Sequence, residues 1–275
     1  MNPIIHYPFE FNIGPLPVTG FGIAMVLSFI IAQVISESES ARRGHDPAPI
    51  ADLVVASVIG GILGAKIYYA ILTDSSIFTR SGFVFWGGLA GGIAATWLVM
   101  MYKKLAFTHI SDLAAPGVAA AYCVGRTGCW AVGDDYGLPY DGPLAVSFPQ
   151  GAPPSTVANM SAEFGVQFPA GTSPDQVVSV YPTQLLQVAL ALGMFGLLWR
   201  WRDHKHAEGW LFGVYCVMAG GERFLIEFLR AKDDRWFAGL TLAQLIALGF
   251  VALGFAWTYA RRTPGPGKPG IHAAS

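Results

Sequence analysis

The sequence predicts an all-α polytopic membrane protein with about seven transmembrane helices and a small extracytoplasmic head between the fourth and fifth of them. Hydrophobic residues make up 53% of the 275 residues and charged residues only 13%, and the mean hydropathy is +0.46. A soluble domain is less apolar and carries more charge. Windows of about 20 predominantly apolar residues recur along the chain, which is the length that a helix needs to cross a bilayer. The windows lie near residues 18–36, 50–72, 82–102, 112–133, 183–201, 209–229 and 240–259.

The basic residues between these windows predict the orientation. Most of them fall in one set of loops, which by the positive-inside rule faces the cytoplasm. They are Arg42, Arg43, Lys103, Lys104, Arg200, Arg202, Lys205, Arg261, Arg262 and Lys268. The opposite loops hold Arg80, Arg230, Lys232 and Arg235. We therefore expect an extracytoplasmic N-terminus and a cytoplasmic C-terminus, an arrangement that seven spans satisfy.

The loop from Asp134 to Tyr181 is long, rich in Pro, Gly, Ser and Asp, and contains no lysine or arginine. A loop of this length within a compact domain is usually functional. Leu144–Phe148 has the alternation of a short strand, so we expect residues 134–181 to form a head or lid within a single transmembrane domain, 1–262. Residues 260–275 are basic and rich in Pro and Gly, and we expect residues 263–275 to be a disordered cytoplasmic tail.

A first charged motif ends the fourth apolar window. Arg126 stands between Gly125 and Gly128, and Gly133 and Asp134 follow. A charge at the centre of a membrane helix costs about 2.5–3.5 kcal/mol, so a functional site is the first hypothesis for it. The glycines leave the backbone open to close approach by a ligand or another helix. The alternative is an arginine whose side chain reaches the membrane interface.

A second charged motif ends the sixth window. Arg223 and Glu227 are four residues apart and share one face of a helix, and Arg230 follows them. A guanidinium binds phosphate oxygens in a bidentate manner and keeps its charge at any relevant pH. The two motifs together predict a site for an anionic headgroup, while a structural Arg–Glu pair between helices is the alternative. The sequence contains no Walker loop, CxxC pair or HExxH motif, so we expect neither a metal nor another cofactor.

In this order, the two motifs resemble those of the prolipoprotein diacylglyceryl transferase family over nearly the whole chain. Further matching pieces are Gly87-Gly88-Leu89, Pro182-Thr183-Gln184-Leu185 and Gln244. The resemblance implies an enzyme of the bacterial cytoplasmic (inner) membrane that moves the diacylglyceryl group of phosphatidylglycerol to the lipobox cysteine of a prolipoprotein. The products would be a thioether and glycerol phosphate. The implied partners are these two substrates and membrane lipids, with no nucleic acid, and a monomer would suffice.

The resemblance also implies roles for individual residues. Arg126 and Arg223 would bind the phosphate and stabilise the charge that grows on it, and Arg230 would attract headgroups or complete the clamp. Glu227 would orient Arg223 or hydrogen-bond the glycerol headgroup, and Asp134, which stands where the family usually has Glu, would do similar work with a shorter reach. The catalytic residues predicted in this way are Arg126, Arg223, Glu227 and Asp134. The predicted substrate-binding residues are Arg126, Arg230, Gly87, Gly88, Gly125, Gly128, Gly133 and Gln184.

The chain departs from the family pattern at several positions. Trp86 stands where the family usually has His, and Phe21 where it usually has Tyr. Two asparagines of the first motif are replaced by Cys129 and Val132. Before the fifth span, the usual His, Tyr and Glu correspond to Tyr181, Leu186 and Gln187. Three hypotheses remain open. The first is a transferase with a divergent site, in which Asp134, Asp135 or Glu227 takes the thiol proton. The second is a catalytically altered relative that binds phospholipid without transferring it, and the third is a related transferase with another acceptor or a small anion transporter.

Overall fold

The computed structural model describes residues 3–76, 82, 84–231, 235–237 and 239–263. Arg80, Lys232, Lys268 and the remainder of the expected disordered tail lie outside the described residues. The predictions made for them therefore stay predictions.

The described residues contain eight α-helices. They are α1 (Gly20–Arg42), α2 (Ala48–Thr73), α3 (Phe85–Tyr102), α4 (Phe107–Val132), α5 (Val157–Phe164), α6 (Thr183–Trp201), α7 (Trp210–Ile226) and α8 (Leu242–Ala260). Each predicted apolar window falls on a long helix, and the short α5 lies inside the predicted head. Four of the helices in the described part of the chain (α1, α2, α3 and α8) are long and apolar enough to cross a membrane. The chain is thus a largely helical membrane protein, as predicted.

Short strands occupy the N-terminal segment, the head and the segment after α7. They are β1 (Ile4–Ile5), β2 (Glu10–Ile13), β3 (Leu16–Thr19), β4 (Val146–Ser147), β5 (Ser179–Val180), β6 (Arg235–Phe237) and β7 (Leu240–Thr241). β2 and β3 form an antiparallel hairpin, and so do β6 and β7. In the third sheet, β4 lies between β1, to which it is parallel, and β5, to which it is antiparallel. β4 falls within the predicted strand-like fragment.

Local sequence signals explain where the helices next to the charged motifs begin and end. Thr19 caps α1 by accepting a hydrogen bond from the backbone N–H of Gly22 at 3.1 Å. α4 ends at Gly133, which adopts the left-handed conformation with φ of 69° that glycine tolerates best. α8 begins with a capping box in which Thr241 and Gln244 each bond the other's backbone.

Glycines set the closest helix contacts. A Cβ on Gly64 would lie 2.3 Å from the backbone oxygen of Gly87, and a Cβ on Gly91 would lie 2.3 Å from that of Gly60. Only glycine allows α2 and α3 to approach so closely, as in other membrane helix pairs. α4 is the central helix: it packs against α1 on one side and against α6 and α7 on the other.

The predicted head is a packed unit joined to the end of α4. Its core contains Tyr136, Phe148, Met160 and Val180, each at most 2% exposed, and Trp130 of α4 packs against it. A loop with its own core is held in a fixed position. The head therefore stands in a defined place over the end of α4 that carries the first charged motif.

The other ends of the helices form a second polar layer. Arg43 at the end of α1 donates to the backbone oxygen of Arg202 at 3.1 Å, beyond the end of α6. Asp112 near the start of α4 is fully buried and bonds His204 at 3.1 Å. Lys103, after α3, pairs with Asp52 near the start of α2 at 2.6 Å. Many of the loop lysines and arginines used to predict the orientation thus gather at the end of the bundle away from the head.

Candidate functional site

Arg126 projects from the last two turns of α4 and is 8% exposed. Its Nη1 donates to Oδ2 of Asp135 at 2.8 Å and to Sγ of Cys129 at 3.2 Å. Its Nε and Nη2 are buried and have no hydrogen-bond partner among the described residues. A buried donor without a partner costs about 1–3 kcal/mol, and more when it is charged. Two donors of one guanidinium are therefore available to an anion that enters the site.

Asp135 bridges Arg126 to the second motif. Its Oδ1 accepts from Nη2 of Arg230 at 2.5 Å, while its Oδ2 accepts from Arg126. Burial alone would raise the pKa of Asp135, but Arg230 and Arg126 outweigh it and hold the pKa below its usual value. The carboxylate is consequently ionised at neutral pH. Asp134 is the acid predicted from the sequence to be catalytic, and its neighbour Asp135 is the one that contacts Arg126 and Arg230.

Asp134 has a different environment. Its Oδ1 is buried without a hydrogen-bond partner in the described part of the chain. Burial, and next the negative charge of Asp135, raise the pKa of Asp134 to about 6. Its backbone oxygen accepts from Nε2 of Gln184 at 2.6 Å, and Thr183 bonds the backbone oxygen of Asp135 at 2.7 Å. Gln184, predicted to bind substrate, thus holds the loop that carries both acids.

The predicted pair on α7 forms. Nη1 of Arg223 donates to Oε2 of Glu227 at 2.5 Å, and Nε of Arg230 lies 3.8 Å from the same oxygen. The other oxygen of Glu227 accepts from the hydroxyl of Thr241 at 3.0 Å. Glu227 is 5% exposed, whereas the side chain of Arg223 is 30% exposed. One buried carboxylate therefore orients two arginines.

A close backbone contact brings the two motifs together. The backbone N–H of Leu138 donates to the oxygen of Leu229 at 2.8 Å, next to the bridge between Gly137 and Arg230. A Cβ on Gly137 would lie 2.5 Å from the oxygen of Leu229. Only glycine fits there, and the contact places Asp135 within reach of Arg230.

The predicted substrate-binding glycines lie at packing contacts. A Cβ on Gly128 would lie 2.7 Å from Cβ of Ala24, and one on Gly133 would lie 2.8 Å from the ring of Phe148. A Cβ on Gly125 would make only an ordinary contact, 3.5 Å from the hydroxyl of Ser28. Gly87 and Gly88 contact α2 and not the arginines of the two motifs. A Cβ on Gly87 would lie 2.4 Å from the backbone oxygen of Gly64, and one on Gly88 would lie 3.3 Å from that of Gly61. These contacts explain the glycines by helix and head packing.

An apolar cavity of about 310 Å³ lies among α1, α2, α3 and α4. Met25, Leu53, Val118 and Ala121 are among the residues that line it, and so is Ser28, whose hydroxyl lies 3.5 Å from a Cβ position on Gly125. The cavity therefore adjoins the first charged motif. It has the apolar character that hydrocarbon chains require.

Two of the positions that depart from the resemblance, Trp86 and Phe21, lie at the periphery, whereas Cys129 and Gln187 are buried, at 7% and 1% exposure. Trp86 is 54% exposed and packs edge-on against Phe85, and Phe21 is 38% exposed beside Gly128. Cys129, Asp134 and Asp135 have ligand atoms within 4.8 Å of one another. A metal ion bound there would face the guanidinium of Arg126, which already bonds two of the three. This arrangement disfavours a cation and favours an anion.

Comparison with known proteins agrees with the motifs. A family model described as prolipoprotein diacylglyceryl transferase matches residues 8–260. The chain is 28% identical to the phosphatidylglycerol–prolipoprotein diacylglyceryl transferase of Corynebacterium efficiens, over 95% of this chain and 84% of that one. It is 28% identical to the enzyme of that name from Oleidesulfovibrio alaskensis, over 90% of this chain and 92% of that one. A protein of Clostridium perfringens, named as a second such transferase, is 30% identical over 87% of this chain and 89% of its own length.

Proposed function

The chain belongs to the prolipoprotein diacylglyceryl transferase family, and we propose that it transfers the diacylglyceryl group of phosphatidylglycerol to the lipobox cysteine thiol of a prolipoprotein. The products are a thioether on the cysteine and glycerol phosphate. The observation that carries the proposal is the buried guanidinium of Arg126, in which two nitrogens, Nε and Nη2, have no hydrogen-bond partner among the described residues. A phosphodiester offers two non-bridging oxygens to such a fork.

The arginine cluster supplies what this reaction requires. Cleavage of the bond between the glyceryl carbon and the phosphate oxygen raises the negative charge on the departing glycerol phosphate. Arg126, Arg223 and Arg230 stabilise that charge as it develops, because their positions are fixed before the substrate binds. Asp135 and Glu227 hold the guanidinium groups in place through the ion pairs at 2.5–2.8 Å. We assign to Asp134, next to this cluster, hydrogen bonds with the glycerol hydroxyls of the headgroup.

The proposal includes a topology. α1–α4 and α6–α8 make seven spans of the bacterial inner membrane within one domain, residues 1–262, with the N-terminus and the head outside and the C-terminus in the cytoplasm. The basic residues at the end of the bundle away from the head support this orientation. The polar groups of α4, α6 and α7 bond one another inside the bundle, which is how membrane helices carry such groups.

The lipid tails and the acceptor complete the substrate description. We assign an acyl chain of the phospholipid to the apolar cavity, since Ser28 in its lining lies next to Gly125, the residue before the arginine that binds the phosphate. The lipobox cysteine approaches from the membrane. A monomer suffices, because one chain supplies every residue named here.

The test compares two arginine variants in detergent micelles that contain phosphatidylglycerol and a synthetic lipobox peptide. Arg126→Ala should abolish transfer, measured as the mass of the peptide, and should weaken phosphatidylglycerol binding. Arg200→Ala removes an exposed arginine at the other end of the bundle and should transfer at the wild-type rate. Normal transfer by Arg126→Ala would overturn the assignment. A wild-type protein that binds the phospholipid through Arg126 but modifies no peptide would instead be a lipid-binding relative of the enzyme.

A further inference from the structure

A buried polar network lies beneath the arginine cluster, and neither the sequence motifs nor the proposed reaction has used it. Glu222 of α7 is 9% exposed, and Gln187 of α6 is 1% exposed. The hydroxyl of Tyr122, on α4, lies 3.3 Å from each carboxylate oxygen of Glu222 and donates to them. Nε2 of Gln187 lies 2.6 Å from that hydroxyl and 3.0 Å from Oε1 of Glu222. Three helices thus converge on one carboxylate.

The network is deeper in the bundle than the arginines. Tyr122 precedes Arg126 by one turn on the same face of α4, a rise of about 5–6 Å. Glu222 immediately precedes Arg223, and α4 and α7 both run towards the head. Gln187 follows Thr183 by one turn on α6, which runs away from the head. The carboxylate therefore lies on the membrane side of the site that binds the phosphate.

The network also has an unused acceptor. Oε1 of Gln187 is buried and, among the residues that the structure describes, has no hydrogen-bond donor. A carboxylate at membrane depth is costly unless it is used or fully bonded. Here a buried acceptor next to that carboxylate remains open to the donor of a substrate. This second observation points to a ligand rather than to a closed lock between helices.

We propose that Glu222 accepts the proton of the lipobox thiol during transfer. This inference rests on the proposed function and adds the base that it lacks. The sulfur forms a bond to the glyceryl carbon, and the bond from that carbon to the phosphate oxygen breaks with its electron pair left on glycerol phosphate. The thiol proton moves to the carboxylate of Glu222. The phosphate gains one negative charge, and the arginines stabilise it.

The direction of attack favours this carboxylate over the others. In a displacement, the sulfur approaches the carbon from the side opposite to the departing oxygen. That oxygen is on the phosphate held by Arg126, so the sulfur comes from the membrane side, where Glu222 lies. Asp134 lies beyond Arg126 on the head side. A thiol that approaches from the membrane side therefore meets Glu222 before Asp134.

The bonding of the carboxylates favours the same choice. Asp135 and Glu227 each bond arginines at 2.5–2.8 Å, and a proton on either would break those ion pairs. Glu222 accepts hydrogen bonds from a phenol and an amide, both neutral. A proton on Glu222 therefore costs no ion pair. Tyr122 and Gln187 act as positioning residues that hold the carboxylate towards the thiol.

The experiment measures lipid binding and transfer separately. Glu222→Gln keeps the shape of the side chain and removes the base. We expect unchanged phosphatidylglycerol binding and a transfer rate at pH 7 lower by about 10²–10⁴-fold, the usual contribution of a general base. The residual rate should rise with pH towards the thiol pKa of about 8.5, because a thiolate needs no base. The wild-type rate should change much less over this range.

Two further variants separate a base from a structural lock. Glu222→Asp keeps a carboxylate on a shorter side chain and should be faster than Glu222→Gln, whereas a lock would favour the glutamine because it fits the same space. Glu163→Gln removes an exposed carboxylate of the head and should behave as wild type. Wild-type transfer and a wild-type pH profile in Glu222→Gln would overturn the inference while the proposed function stands. Loss of phosphatidylglycerol binding together with transfer in both Glu222 variants would also overturn it. A wild-type protein without any transfer would refute the proposed function itself.

Discussion

Asp134 offers a prediction whose magnitude follows from its environment. Its pKa is raised from 3.8 to about 6 by burial and by the charge of Asp135. The folded protein therefore binds the proton more tightly than the unfolded chain does. The stability that this group contributes is fully present below pH 3.8 and is lost as the pH rises through about 6. A shift of this size corresponds to about 3 kcal/mol, an upper limit because local water and side-chain movement reduce it.

Asp134→Asn imitates the protonated carboxyl at every pH. We expect the variant to be more stable than wild type by about 1–3 kcal/mol at pH 7.5 and to match it near pH 4. Thermal unfolding in detergent measures the difference, and each kcal/mol shifts the midpoint by roughly 2–4 °C in a chain of this size. Asp141→Asn, which neutralises an exposed carboxylate of the same head, gives the baseline. A difference between variant and wild type that is the same at pH 4 and 7.5 would refute the reasoning.

Three further predictions concern the site and its supports. Arg126→Lys keeps the charge but loses one of the two charge-assisted hydrogen bonds to the phosphate. Such a bond is worth about 1.5–3 kcal/mol, so kcat/KM should fall about 10–100-fold. A decrease below threefold would contradict the bidentate contact. Gly137→Ala places a Cβ 2.5 Å from the backbone oxygen of Leu229 and should slow transfer at least about tenfold. The control is Gly193→Ala, whose new Cβ has no atom within 4 Å and should leave the rate unchanged. Equal rates in the two variants would show that the backbone contact at Gly137 has no role in transfer. Thr241→Val removes the cap of α8 and should lower the free energy of unfolding by about 1–2 kcal/mol. Thr241→Ser keeps the capping hydroxyl and should unfold with the wild-type free energy. An equal loss of stability in the two variants would exclude the cap as the cause.

Features that depend on nearby residues could be predicted from the sequence. The long helices follow from apolar windows, since hydrophobic length alone identifies such segments. The ion pair between Arg223 and Glu227 follows from their spacing of four residues, and the structure confirms it at 2.5 Å. The strand-like fragment in the head was also visible, because alternation is a local pattern. In each case the interacting residues are neighbours along the chain.

Features that depend on tertiary contacts could not be predicted. Asp135 and Arg230 are 95 residues apart in the chain. Nothing in the local sequence shows that Asp135, rather than Asp134, is the ion-pair partner of the arginines. The network around Glu222 joins three helices, so its members carry no common motif. Gly87 matches a family motif, yet its observed contact is with the backbone of α2. A glycine permits close approach without indicating which group approaches.

The measurement that tests the central claim most directly is the mass of a lipobox peptide after incubation with the wild-type protein and phosphatidylglycerol. We expect a peptide heavier by one diacylglyceryl group, an equal amount of released glycerol phosphate, and no change in a peptide whose cysteine is replaced by serine. An unchanged cysteine peptide in the presence of bound phosphatidylglycerol would contradict it, because the arginine site would then hold the lipid without the transfer reaction.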